Sequence, residues 1–253
     1  ESQLGQRQLG WLTLIDHREE ATLEGVDAFS WGLMLGERDH DQAQVRLRRL
    51  VFDAQHACTL DEYLALPEQP CSQLLEDAPH FDSQILRLRE ESFTQPPSWF
   101  ALDLTSGERT LLKRAPVYGN LQPEQLISKR LWATSHDGEQ VPVSVVMRAD
   151  LADQPLPTLL YGYGAYGEAL DPWFSIARLE LLERGAAFAV AHVRGGGERG
   201  EPWYLNGKMA HKENSFHDFL AAREALVEQG VSDPRHVVAY GASAGGLLVG
   251  TCI

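Results

Sequence analysis

Cysteine, positive charge and long apolar runs are all scarce in this chain, and each scarcity excludes something. Only three cysteines, Cys58, Cys71 and Cys252, occur among 253 residues. The count is odd and no Cys-x-x-Cys or Cys/His cluster is present, so the sequence encodes neither a disulfide framework nor a zinc site. That usage suits a reducing compartment, and a cytoplasmic location is the expectation. Lys and Arg number 22 against 36 Asp and Glu, a formal net charge of −14. Both halves of the chain are acidic. Binding phosphates or an anionic bilayer needs a basic face, so nucleic acid and membrane are poor partners and a cationic ligand is the natural one. The longest uncharged apolar stretches, 186–193 and 245–253, fall short of the ~20 residues that cross a bilayer. The first residues lack both an initiator Met and the apolar core of a signal peptide, and the last residues carry no polar tail. Both ends therefore read as cut from a longer chain. Gly-Lys-Ser/Thr is absent too, which removes a P-loop. No metal and no cofactor is expected.

What remains is ordinary globular composition, 43% hydrophobic and 23% charged. The first half reads as β structure. Short runs at 10–15, 28–35, 44–52, 84–89 and 98–104 are separated by turn signals. Val45-Arg46-Leu47-Arg48 and Ile85-Leu86-Arg87-Leu88-Arg89 alternate, so each strand has one wet face. Trp99 to Leu104, a Ser106-Gly107 turn, and Arg109 to Leu112 form a hairpin. Repeated short antiparallel strands suggest a propeller or a sandwich. No clean period of 40–50 residues decides between them.

From Leu131 the texture changes. Arg130 to Thr134 and Val141 to Met147 read as a second hairpin around His136-Asp137-Gly138. Thr158 to Tyr161, Ala186 to Val193 and His236 to Tyr240 read as buried strands. Helices are expected over 174–184, ended by Gly185, over 214–229, ended by Gly230, and after Gly241. Apolar strands alternating with amphipathic helices imply a parallel sheet covered on both faces. The boundary falls at 118–123, giving a β domain over 1–120 and an α/β domain over 121–253.

Gly241-Ala242-Ser243-Ala244-Gly245 matches Gly-x-Ser-x-Gly and lies between an expected strand and an expected helix, the context this motif requires. Small neighbours there let a strained turn lift Ser243 above the sheet. The helix N-terminus and the Ala244 N–H would then sit beside a developing oxyanion. The bland alternative is a helix-capping serine. Tyr161-Gly162-Tyr163-Gly164-Ala165-Tyr166-Gly167 follows another strand. Tyr163 or Tyr166 could donate its hydroxyl to the same oxyanion, or both could be packing aromatics. Two segments, Gly162/Gly164/Gly167 and Gly195/Gly197/Gly200, fit Gly-x-Gly-x-x-Gly. A dinucleotide site is rejected because no helix is expected directly after either. His192 reads as a partly buried, hydrogen-bonded histidine.

Five segments in order carry a resemblance. They are Leu160 through Gly167, Arg194-Gly195-Gly196-Gly197-Glu198, Trp203-Tyr204 with Gly207-Lys208, Asn214-Ser215-Phe216-His217-Asp218-Phe219, and Gly241 through Gly246. Over about 130 residues the second half resembles the catalytic domain of the prolyl oligopeptidase family of serine peptidases, in its oligopeptidase B branch. Arg18-Glu19-Glu20 with Leu23-Glu24-Gly25, and Asp103-Leu104 through Lys113, extend the resemblance into the first half. It implies a partial α/β-hydrolase fold preceded by the last blades of a seven-bladed β-propeller that screens the site against large proteins. It also implies Ser243 as nucleophile, the Ala244 N–H and the Tyr163 hydroxyl as oxyanion hole, Tyr166 lining the substrate pocket, and Asp171 meeting basic substrate side chains. Where some members carry a second acid two residues later, this chain has Trp173. The usual Gly-Gly-Ser is Gly-Ala-Ser here.

In this fold the acid and the histidine follow the serine in chain order, and ten residues follow Ser243. The expectation is a serine endopeptidase cleaving short basic peptides after Arg or Lys, whose triad Asp and His lie outside this chain, leaving the fragment inert alone. An esterase or acyl-peptide hydrolase on the same scaffold, or a noncatalytic fragment, are the alternatives.

Overall fold

In the computed structural model, residues 13–66, 70–76 and 80–253 are described. Eight strands build two four-stranded antiparallel sheets. The first holds β1 (Ala21–Phe29), β2 (Gly32–Asp39), β3 (Gln44–Phe52) and β4 (Cys58–Tyr63). The second holds β5 (Cys71–Leu75), β6 (Ile85–Ser92), β7 (Ser98–Asp103) and β8 (Arg109–Arg114). Both run in plain sequence order, the up-and-down meander of a propeller blade. In β3, Val45 and Leu47 are buried on one face and Leu50 on the other, while Arg48 and Arg49, their side chains only 13% and 17% exposed, pair with Asp61 and Glu62 of β4. Phe29, Met34 and Leu47 from one sheet and Leu86 and Leu88 from the other form one apolar cluster, so the two sheets share a core.

Two strand expectations need correction. The run 28–35 is a hairpin corner, with β1 ending at Phe29 and β2 opening at Gly32. Gly32 has φ +151° and a Cβ there would stand 2.0 Å from the Leu50 carbonyl oxygen, so the chain turns where only glycine fits. Of the run 10–15, residues 10–12 lie outside the described residues and 13–15 form no strand.

The second half folds on a five-stranded sheet, made of β9 (Leu126–Thr134), β10 (Gln140–Arg148), β11 (Leu156–Gly162), β12 (Ala187–Ala191) and β13 (Ser232–Tyr240) in the order β13-β11-β12-β10-β9. β12, β11 and β13 are parallel. The β9/β10 hairpin joins antiparallel to β12, so the sheet is mixed rather than wholly parallel. β10, whose residues Val141 to Met147 are all buried, is covered on both faces and paired on both sides, and the short turn at 135–139 makes β9 run antiparallel to it. Helix α1 (Ile176–Glu183) packs Leu179 and Leu182 on Phe188 and Val190. Helices α3 (Glu213–Glu228) and α4 (Ala244–Cys252), reached after the short α2 (Gly200–Leu205), lie on the opposite face, where Phe219, Ala222, Leu226 and Leu248 meet Leu160, Ala189 and Ala191. The carboxyl ends of the three parallel strands thus open along one edge. β11 leads to α1 on one face and β13 to α4 on the other, which makes the gap between them the switch point where open α/β sheets bind ligands.

Candidate active site

β13 is paired with β11 up to Tyr240, and α4 begins at Ala244. Between them the chain reverses in three residues. Ser243 has φ +53° and ψ −122°, a conformation that strains any residue with a Cβ. Gly241 makes the reversal possible, because a Cβ there would stand 2.2 Å from the Gly245 carbonyl oxygen; one at Gly245 would stand 2.6 Å from that of Gly162. Ser243 is exposed. It occupies the N-cap position of α4, yet its side chain makes no capping hydrogen bond. The helix-capping alternative is thereby removed. As first residue of α4, Ala244 has an N–H without an intrahelical acceptor.

The segment after β11 runs beside this turn. The Cα of Tyr163 lies 3.5 Å from where a Gly245 Cβ would be, so Tyr163 is adjacent to the start of α4. Tyr166 has φ +60° and is 79% exposed. Asp171 lies further along, and its carboxylate is engaged: Arg38 of β2 donates to both oxygens at 2.8 and 2.9 Å. Arg38 is buried and also donates to Glu24 at 2.6 Å. Ser243, Ala244 and Tyr163 are therefore gathered at one strand-end crevice, whereas Asp171 sits where the two halves of the chain meet.

The Gly195/Gly197/Gly200 segment does open a helix at once, contrary to expectation: α2 starts at Gly200. Pro202 stands in its first turn, where a missing N–H costs no hydrogen bond. The segment still offers no phosphate cradle, because its N–H groups are spent internally. Gly195 donates to the Trp203 carbonyl, Gly196 to Val193, Gly197 to Glu168 and Gly200 to Gly197.

Beneath these loops lies a polar scaffold that motif reading missed. Ser215 and Asp218, both in α3, are fully buried. Ser215 Oγ donates to the Arg194 carbonyl at 2.5 Å. Asp218 accepts from the Arg194 N–H at 2.9 Å, from the Arg194 guanidinium at 2.7 Å and from Ser135 Oγ at 2.6 Å. Burial opposes the Arg194 charge, but its bonds to Asp218 and Asp137 outweigh that and hold its pKa above the ordinary value. The same guanidinium holds the Asp137 carboxyl down at about 2. Lys212 Nζ donates to the Gly164 carbonyl. His192 is only 1% exposed, so it is wholly rather than partly buried. Its Nε2 meets Ser144 Oγ at 2.7 Å and its Nδ1 faces Glu198 at 3.4 Å. Burial, then the charge of Arg130, push its pKa down. The signal for Ser215 and Asp218 was their place in a matching segment; Lys212 and Arg38 gave none.

Comparison with known proteins agrees with this architecture. Residues 3–115 match the family described as "Prolyl oligopeptidase, N-terminal beta-propeller domain" and residues 172–253 the "Prolyl oligopeptidase family". Dipeptidyl aminopeptidase BI of Pseudoxanthomonas mexicana is 36% identical over 95% of this chain and 32% of its own length. Protease 2 of Moraxella lacunata is 37% identical over 94% of this chain and 34% of its own. Among solved structures, oligopeptidase B from Trypanosoma brucei with covalently bound antipain, in a closed form, superposes with a TM-score of 0.85 at 35% identity, covering 94% of this chain and 34% of that one. The chain spans about a third of the length of these relatives. Blade-like sheets followed by a strand–turn–helix serine on an α/β-hydrolase sheet, matched by two profiles of one family in the right order, place this chain in the prolyl oligopeptidase family.

Proposed function

We propose that the full-length protein bearing this chain is a serine endopeptidase of the oligopeptidase B type, hydrolysing short peptides after Arg or Lys. The observation that carries the reading is Ser243, exposed at φ +53° at the head of α4 with no capping role. Its hydroxyl would attack the scissile carbonyl and form an acyl-enzyme that water then hydrolyses. The Ala244 N–H and the Tyr163 hydroxyl would receive the oxyanion as hydrogen-bond donors. Tyr166 would line the substrate pocket. The base would be a histidine that follows Ser243 in chain order, oriented by an acid. Among the described residues no histidine hydrogen-bonds Ser243, and His192 is committed to Ser144 and Glu198. This chain alone should accordingly be nearly inert. In an unrelated serine protease, losing the triad costs ~10⁶ in kcat.

The net charge of −14 and the carboxylate of Asp171 favour a basic substrate side chain, which must compete with Arg38 for that carboxylate. Propeller-type sheets favour a peptidase over an esterase, since a screen suits peptides. Relatives named protease 2 and oligopeptidase B point the same way. We place the domain boundary at 120/121, between β8 and β9. A cytoplasmic setting accords with three free cysteines, one of them exposed, and no helix among the described residues is long and apolar enough to cross a membrane.

The test is a fluorophosphonate probe together with an Arg-aminoacyl reporter on the full-length protein. Wild type should label and turn over, and Ser243→Ala should do neither. Undiminished turnover by Ser243→Ala would overturn the reading.

A further inference from the structure

The loop that follows β11 is tied to α3 by one cation. Lys212 immediately precedes α3. Its Nζ donates to the Gly164 carbonyl at 2.5 Å and to Ser215 Oγ at 3.1 Å. Ser215 Oγ in turn donates to the Arg194 carbonyl, and the loops of Gly164 and Arg194 are themselves in close contact, since a Cβ on Gly195 would stand 2.2 Å from the Gly164 carbonyl oxygen. Lys212 therefore fastens, with Ser215, the glycine loop beside the serine turn to the glycine loop that follows β12. Its ammonium is half-buried and burial alone lowers its pKa. Among the described residues it forms no ion pair with a carboxylate, and both its hydrogen-bond partners are neutral. An uncompensated buried cation is costly. A methionine would fill the same space without that cost, so what the lysine adds is the bond to Gly164 and the charge beneath the loop.

We propose that Lys212 is a positioning residue for the hydrolysis: by holding the Gly164 carbonyl it fixes the loop from which the adjacent Tyr163 presents its hydroxyl to the oxyanion. This rests on the assignment of Ser243 and Tyr163 made above. The bond from that hydroxyl counts only once the tetrahedral oxyanion forms, so the lysine acts on kcat and not on substrate affinity.

The experiment compares wild type, Lys212→Met, Tyr163→Phe and the double variant in the full-length protein, with an Arg-aminoacyl reporter and a reversible peptide aldehyde whose adduct carries the oxyanion. Removing an oxyanion donor outright costs ~10²–10³ in kcat, so loosening one should cost Lys212→Met about 10- to 100-fold, with KM within about 2-fold. Aldehyde affinity should fall in step with kcat/KM. In the Tyr163→Phe background the Lys212→Met loss should shrink to a few-fold, because both act through one hydroxyl. If Lys212→Met melts below the assay temperature, Lys212→Gln is put through the same cycle. A rise in KM at constant kcat, wild-type kinetics, or fully multiplicative losses in the cycle would each overturn the proposal. Ser243→Ala separates the two layers. Turnover that survives it refutes the nucleophile itself, whereas a dead Ser243→Ala beside an unimpaired Lys212→Met refutes only the role of the lysine.

Discussion

A serine held at φ +53° stores strain of order 1–3 kcal/mol, and it persists because its surroundings leave no alternative. Gly241 and Gly245 lie so close to neighbouring carbonyls that the turn closes only in this form. That arrangement was legible in the sequence, because a strand–turn–helix serine motif is written in five consecutive residues. The histidine at 192 was half legible: its strand position argued for burial, but its partners Ser144 and Glu198 come from elsewhere in the fold. Its titration makes a stability prediction. The unfolded imidazole protonates near ~6.5, whereas burial lowers the folded value. Below that pH the unfolded chain binds the extra proton, so stability falls as the solution is acidified from pH 6.5 downward until the folded value is reached. Melting temperatures of the full-length protein between pH 7.5 and 5 should therefore decline, and His192→Gln should flatten the decline while losing some stability at pH 7.5 with the Ser144 bond. Parallel curves for the two proteins would locate the acid sensitivity elsewhere.

At the scale of elements, α3 braces the loops around the site. Its first two turns bury Ser215 and Asp218 under the glycine loops, and the chain pays for this with a polar helix face turned inward. Asp218→Asn removes the main counter-charge of Arg194, whose guanidinium is buried. Breaking a buried ion pair costs ~3–5 kcal/mol. Because Asp137 still pairs with Arg194, a loss of about 2–4 kcal/mol is expected in the urea transition that includes this sheet. A change below about 0.5 kcal/mol, the range of ordinary surface substitutions, would show the network to be dispensable. Elements themselves were largely legible, since β3, the β7/β8 and β9/β10 hairpins, α1 and α3 each follow from local periodicity and a capping or turn residue. The misreadings share a cause. The Gly32 corner is dictated by the Leu50 carbonyl, the antiparallel docking of β10 on β12 by sheet neighbours, and α2 by a proline that its first turn tolerates. Each is decided by something distant in sequence or by a residue read too strictly.

Over the whole molecule, the propeller-type half and the hydrolase half are joined by few but deep contacts. Phe93 of the first packs against Trp173 of the second with ring centroids 5.8 Å apart, and Arg178 lies over the Phe93 ring at 5.2 Å. Arg199 reaches across to the His40 carbonyl at 3.1 Å. At the centre is Arg38, its side chain 4% exposed between Glu24 and Asp171, which are 39% and 33% exposed. Burial works against this cation, but its hydrogen bonds to Asp171 and Glu24 raise its pKa. A guanidinium clasped bidentately by a carboxylate is the very contact that an arginine of a substrate would make. If Asp171 serves basic substrates, Arg38 is their resident competitor. Arg38→Met should then lower KM for Arg- and Lys-containing peptides by several-fold, Asp171→Asn should raise it by a similar factor, and a neutral peptide of equal length should respond to neither. The comparison is made on the full-length protein below its melting transition, because Arg38→Met also unpairs two carboxylates and loosens the seam between the halves. Equal shifts for basic and neutral peptides would mean that the pair only seats one half against the other, and the basis of any basic preference would have to be sought away from Asp171.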